Sequence, residues 1–163
     1  MLDIFELFRM NYPKQRLCLS HDTPFLPHKR GFKLASLNIA SLPKHIDELR
    51  ILLADNSIDV LSLNETRLDE TINDQDVYIS GYDIIRRDRN RNGGGVCFYI
   101  RTVINYSLRP DLHVDQLENL CVEIRKPHSK PFVVATWYRP PDSHTEIFAH
   151  FESLISALDS QGA

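Results

Sequence analysis

The sequence predicts a mixed α/β domain, and three observations predict it. An apolar strand pattern, an amphipathic helix pattern and a second apolar strand pattern follow one another over residues 33–64. The middle of the chain then changes to short apolar runs separated by turn residues. A last helical pattern closes the sequence after residue 143. Alternation of this kind fits helices laid over one or more sheets.

The elements can be taken in order. Residues 1–31 stand apart as a leader or linker. Pro13, Pro24 and Pro27 are mixed there with Lys, Arg and His, and no period is sustained. A short helix over residues 2–10 is the one element expected within it. Residues 32–163 form the domain. Lys33–Ile39 suits a buried strand. Ser41-Leu42-Pro43 reads as a helix start, with Ser41 able to cap and Pro43 tolerated in the first turn. Ile46, Leu49, Leu52 and Leu53 recur at helical spacing, and Asp55-Asn56-Ser57 ends that helix. Asp59–Asn64 is a second buried strand. Strand, helix and strand within about thirty residues make a βαβ crossover, which implies two parallel strands in one sheet. Tyr82–Arg86 and Val96–Arg101 read as a hairpin around the polar, Gly-rich stretch 88–95. Residues 102–117 carry no clear pattern. Asn119–Arg125 and Phe132–Tyr138 are two further strands. Ser143 and Glu146 have the spacing of a capping box, and Ile147, Phe148, Phe151, Leu154, Ile155 and Leu158 line one helical face.

Composition narrows the class. The 163 residues are 42% hydrophobic and 25% charged, enough for one cored domain. A net charge of −3 exerts no global pull on nucleic acid, so polyanion binding would need a local patch. Cys18, Cys97 and Cys121 are odd in number and widely spaced, and read as reduced thiols. The seven histidines show no metal-ligand spacing. No apolar run could span a bilayer, and the first residues lack a basic leader. An intracellular location without membrane attachment is the expectation, the nucleus included.

Four places could carry chemistry. Asn38 and Glu65 lie at the carboxyl ends of the two parallel strands, the edge where open α/β sheets bind ligands. A carboxylate there can hold a hard cation through oxygen, and a neighbouring carboxamide can orient it. By themselves the two residues read more simply as polar strand ends. Tyr138 and Arg139 follow another strand, where Pro140-Pro141 stops the pairing. A tyrosine hydroxyl and an arginine suit a phosphate, and also suit a plain exit turn. Arg86, Arg87, Arg89 and Arg91 place four cations in six residues beside Gly93-Gly94-Gly95. That stripe reads either as a contact to a nucleic-acid backbone or as a solvated hairpin tip.

Taken together, these blocks resemble a known family. Ser36-Leu37-Asn38-Ile39 and Asp59-Val60-Leu61-Ser62-Leu63-Asn64-Glu65-Thr66-Arg67-Leu68 come first. Ser80-Gly81-Tyr82-Asp83-Ile84-Ile85-Arg86-Arg87-Asp88-Arg89, Gly93-Gly94-Gly95-Val96-Cys97-Phe98-Tyr99-Ile100 and Trp137-Tyr138-Arg139-Pro140-Pro141 follow in order. The series is similar to the opening of the endonuclease/exonuclease/phosphatase (DNase I-like) superfamily. Its LINE-type non-LTR retrotransposon endonuclease branch is the nearest in wording.

The resemblance implies a partial four-layer α/β sandwich, with mixed sheets, outer helices and the last strands lacking. It implies Glu65 as the metal-binding glutamate, Asn38 as the asparagine beside metal and phosphate, and Tyr138 as the active-site tyrosine. Arg87, Arg89 and Arg139 are the candidate nucleic-acid contacts. Mg²⁺, with Mn²⁺ as the alternative, is the implied ion, DNA the implied partner, and no small-molecule cofactor is expected. The family's Gly-Asp-Phe-Asn and Ser-Asp-His blocks do not occur in these 163 residues. The expectation is therefore a phosphodiesterase domain lacking its C-terminal half, inactive as an isolated chain. The alternatives are a nucleic-acid-binding fragment that uses the Arg86–Arg91 loop, or a domain for a phosphoinositide or sphingolipid head group.

Overall fold

The computed structural model describes residues 31–160. The leader expected over residues 1–31 lies, apart from Gly31, outside the described residues, as does Cys18. Strand β1 (Leu34–Asn38) leads into helix α1 (Leu42–Asp55), and α1 into strand β2 (Val60–Asn64). β1 and β2 pair in parallel, as a βαβ crossover requires, with Asn38 opposite Asn64. Strands β3 (Tyr82–Arg87) and β4 (Val96–Arg101) form the antiparallel hairpin, and β4 adds to β2. The first sheet therefore runs β1-β2-β4-β3. Residues 102–117, unpatterned in sequence, supply strand β5 (Asn105–Leu108) and one short 3-10 turn at Pro110–Leu112. With β6 (Glu118–Arg125) and β7 (Phe132–Tyr138), β5 makes a second, antiparallel sheet in the order β5-β6-β7. Helix α2 (Ile147–Asp159) closes the described chain.

The layers follow from which face of each strand is apolar. On one face of the first sheet, Leu61, Leu63, Cys97 and Tyr99 pack with Leu42, Ile46, Leu49 and Leu53 of α1. On the other, Val60, Phe98 and Ile100 meet Val122, Ile124 and Val134 of the second sheet. The far face of the second sheet presents Cys121, Val133 and Trp137 to Leu154, Phe151 and Leu158 of α2. Helix, sheet, sheet and helix thus stack as four layers. β2 is buried on both faces, which explains its unbroken apolar run. Cys97 and Cys121 are buried free thiols.

Two helix starts differ from expectation. Ser41 precedes α1 but makes no cap bond, because its backbone is at φ 134°. The Leu42 N–H donates across the rim to the Thr66 carbonyl at 2.8 Å instead. The Ser143–Glu146 capping box does not form either. The Ser143 hydroxyl donates back to the Pro140 carbonyl at 2.7 Å, and Glu146 is already helical. A capping hydroxyl competes with any nearby carbonyl, and here a turn carbonyl wins. The expected apolar face of α2 is only partly covered: Leu154 is buried, while Phe148 and Ile155 are 45% and 40% exposed.

Candidate active site

The parallel register carries Asn38 and the residue after Asn64 to one rim. Glu65 is that residue. Its backbone sits at φ 59°, with Arg67 at 53° two positions on, and Ala40 and Ser41 across the rim at 53° and 134°. Left-handed backbone at four non-glycine residues is costly, and surrounding bonds must hold it. They do so in a row. Ile39 N–H donates to Asn64 O at 3.0 Å, Thr66 N–H to Gly95 O at 3.2 Å, and Arg67 N–H to Gly94 O at 3.0 Å. The loops after β1, β2 and before β4 are thereby stitched together.

The second sheet reaches the same rim. Tyr138 ends β7 opposite Glu118, which opens β6. A buried hydroxyl pair joins the sheets just below: Ser62 Oγ donates to Thr136 Oγ1 at 2.6 Å, and Thr136 Oγ1 donates to Asn64 Oδ1 at 3.2 Å. Above it, the Tyr138 hydroxyl lies close enough to the Glu65 carboxylate for each to shift the other's titration.

The electrostatics of Glu65 follow from its neighbours. Burial alone would raise its carboxyl. The Tyr138 hydroxyl, the Gly94 N–H and the Arg67 guanidinium outweigh burial, and Glu65 ends below the usual carboxylate range. Arg67 Nε lies 3.2 Å from Glu65 Oε2. Burial, and then the Glu65 charge, push Tyr138 up to about 12, so it stays a donor at neutral pH. Asn38 is exposed, and its Oδ1 accepts the Ala40 N–H at 3.1 Å. A carbonyl oxygen has two lone pairs, so one remains for another partner.

Glu65, Asn38 and Tyr138 thus share one rim. The arginines are placed differently. Arg86 is tied to Asp88 at 2.8 Å and Asp74 at 3.0 Å, and to the carbonyls of Asp69 and Ile72. Arg87, expected as a phosphate contact, turns inward: Nη1 donates to Leu117 O at 2.5 Å and to both oxygens of Asn119. Arg91 pairs with Asp69 at 2.8 Å. Arg89 pairs with Glu118 at 2.8 Å while remaining 40% exposed at its side chain. Arg139 is exposed and lies 5.1 Å over the Phe148 ring. The cationic stripe is therefore largely engaged within the chain: Asp88 answers Arg86 locally, and the other acids come from residues 69–74 and 118. Those other acids are remote in sequence, and no local pattern announces them.

Sequence reasoning missed two neighbours of Glu65. Arg67 lay within a quoted block without being singled out. Glu118 carries no local signal, since an acid opening a strand is ordinary, and only the register with Tyr138 brings it to the rim. Thr66 Oγ1 is also buried there without a hydrogen-bond partner.

A hard cation can be tested against these donors. Among the described residues no cluster of three or more His, Cys, Asp or Glu is placed to hold a metal. Mg²⁺ does not need one, because it keeps several waters and takes one or two carboxylates plus phosphate oxygens. An ionised Glu65 and the Asn38 amide oxygen fit that limited demand.

No family profile matches the sequence, and no curated protein matches it. Solved structures do. The endonuclease domain of TRAS1, a telomere-specific non-LTR retrotransposon, superposes with a TM-score of 0.58 at 13% identity, over 82% of this chain and 54% of that one. The AP endonuclease LMAP from Leishmania major gives 0.59 at 19% identity, over 78% and 47%. An AP endonuclease from Archaeoglobus fulgidus gives 0.53 at 16% identity, over 82% and 52%. The chain spans about half the length of the structures it matches. Identities this low speak for the fold alone, and the fold of this chain is the DNase I-like α/β fold.

Proposed function

We propose that this chain carries the metal- and phosphate-facing part of a Mg²⁺-dependent DNA phosphodiesterase site of retrotransposon-endonuclease type. The single observation behind this is the juxtaposition of an ionised Glu65, Asn38 and Tyr138 on one strand-end rim. The similarity in fold to the TRAS1 endonuclease domain and to AP endonucleases supports the choice of a nuclease. Glu65 and Asn38 would hold the ion. When bound, Mg²⁺ supplies Lewis-acid charge for a phosphoryl oxygen.

The chain's own residues do the rest of what this half of the site can do. The Tyr138 hydroxyl and the Gly94 N–H favour the charged form of Glu65 and keep it ionised. Tyr138 stays protonated well above neutral pH, and its one O–H can turn to a phosphate oxygen only by leaving Glu65. The Gly-Asp-Phe-Asn and Ser-Asp-His blocks of the resembled family, which would supply the base, are not among these 163 residues. We therefore read the chain as binding without completing hydrolysis. The alternative, binding through the whole Arg86–Arg91 stripe, is weaker, because Arg86, Arg87 and Arg91 are engaged within the chain.

The test is Mn²⁺ binding by electron paramagnetic resonance, alongside nicking of supercoiled DNA. Wild type should bind Mn²⁺, and Glu65→Gln should weaken binding roughly tenfold or more. Neither protein should nick DNA above background. Equal Mn²⁺ affinity in both proteins would remove the metal assignment, and nicking abolished by Glu65→Gln would refute the incompleteness.

A further inference from the structure

Glu118 is absent from the sequence-based site, yet it has the most constrained surroundings at the rim. Its side chain is 19% exposed. One carboxylate oxygen accepts the Gly95 N–H at 2.7 Å, and the other accepts Arg89 Nη1 at 2.8 Å. Both donors belong to the loop that supplies the Gly94 N–H to Glu65. The fit is close: a Cβ on Gly94 would lie 2.6 Å from Glu118 Oε2 and 2.8 Å from Arg89 Cδ, on a backbone at φ 75°. Only glycine lets the Arg89 stem cross there.

The crossing has a consequence for the other guanidinium nitrogen. Arg89 Nη2 and Glu65 Oε2 lie 3.8 and 3.7 Å from one point, the Cβ position of Gly93. Among the described residues, Nη2 has no acceptor. Of the four loop arginines, Arg89 is the one that brings a free nitrogen beside the Glu65 carboxylate.

We infer that Glu118 is a positioning residue. It anchors Arg89 by one nitrogen and the glycine loop by Gly95, so that the second Arg89 nitrogen binds a non-bridging oxygen of a DNA phosphodiester beside Glu65. A planar guanidinium can serve two anions at once, one on each nitrogen, whereas an ammonium is a point charge without that fork. The inference rests on the phosphodiester reading of the site and names one of its contacts.

The test uses the full 163-residue chain and a short fluorescein-labelled single-stranded DNA, with anisotropy read over a salt series in Mg²⁺. Arg89→Lys keeps the charge at an exposed position, so it leaves folding intact. It should nevertheless weaken binding about fivefold to tenfold. Glu118→Gln separates two ideas by sign. Removing a carboxylate near a bound anion should tighten binding by electrostatics alone, whereas loss of the anchor should weaken it about as much as Arg89→Lys. The double variant should then lose no more than either single one, since both act on one contact.

Tighter or unchanged binding by Glu118→Gln overturns the inference, and so do losses that multiply in the double variant. If Glu118→Gln fails to fold by circular dichroism, unchanged affinity of Arg89→Lys overturns it alone. Wild type that fails to bind DNA at low salt rejects the DNA reading itself. Wild-type binding that neither variant alters rejects the Arg89 contact and the role of Glu118 but leaves the DNA reading standing.

Discussion

Glu65 shows how much one residue depends on its neighbours. Its carboxyl is lowered from the ordinary value of 4.5 in the folded chain, so the folded state holds fewer protons there than the unfolded one. The stabilisation is complete above that ordinary value and fades as pH falls through the lower, folded one. Asp88 works in the opposite sense, because burial raises its carboxyl and its contribution fades as pH rises. The difference between wild type and Glu65→Gln isolates the first effect. The variant should be less stable by about 1–2 kcal/mol near neutral pH, the scale of hydrogen bonds to a charged group. The gap in urea midpoint should close as pH falls below 4.5 and Glu65 takes up its proton. A gap that is constant with pH would show that the Tyr138 and Gly94 bonds do not favour the charged form. Glu65, Asn38 and Tyr138 could be placed at strand ends from the sequence because each ends an apolar run, while their roles came only from the family resemblance. Glu118 was not, because nothing local separates it from a surface acid.

Among the elements, the loop between β3 and β4 was only half legible in sequence. Its arginines suggested a free cationic stripe, and three of the four are engaged within the chain. Folded, Gly94 and Gly95 sit at φ 75° and 81°, and a Cβ on Gly95 would overlap the Thr66 hydroxyl. They make room for protein packing and aim one N–H at Glu65. Gly94→Ala should therefore cost about 1–3 kcal/mol, because the strained backbone and the close approach of Glu118 both oppose a side chain. Gly93→Ala meets only ordinary contacts at 3.7 and 3.8 Å and should cost less than about 1 kcal/mol. Urea melts of the two variants give the comparison, and equal losses would contradict the packing role. The helices make a related point. The period that placed α1 and α2 was reliable, since burial of Leu42, Ile46, Leu49 and Leu53 enforces it. The capping hydroxyls were not reliable: Ser143 bonds the turn carbonyl of Pro140, and Ser41 sits in a rim whose backbone is set by the Thr66 loop.

For the molecule as a whole, the site exists only because two sheets are locked at one end. The Ser62–Thr136–Asn64 hydroxyl chain is the buried polar link between them, just below the rim. Thr136→Val keeps the shape and removes the link, leaving the Ser62 hydroxyl without that partner. It should destabilise the chain by about 1–3 kcal/mol. Adding Ser62→Ala should recover part of the loss, because the orphaned hydroxyl is then gone. Thermal melts of the single and double variants check this, and strictly additive losses would mean that the hydroxyls act independently.

The sequence alone determined the layer type, both helices, the parallel pair β1–β2, the β3–β4 hairpin and the three residues at strand ends. Those features are local: apolar periodicity and the point where a run stops are written in neighbouring residues. Only the tertiary structure decided β5, the partners of the arginines, the failed caps and the entry of Glu118. Most of these turn on bonds between residues about 15 to 30 positions apart, whose choice of partner depends on strand register and sheet stacking.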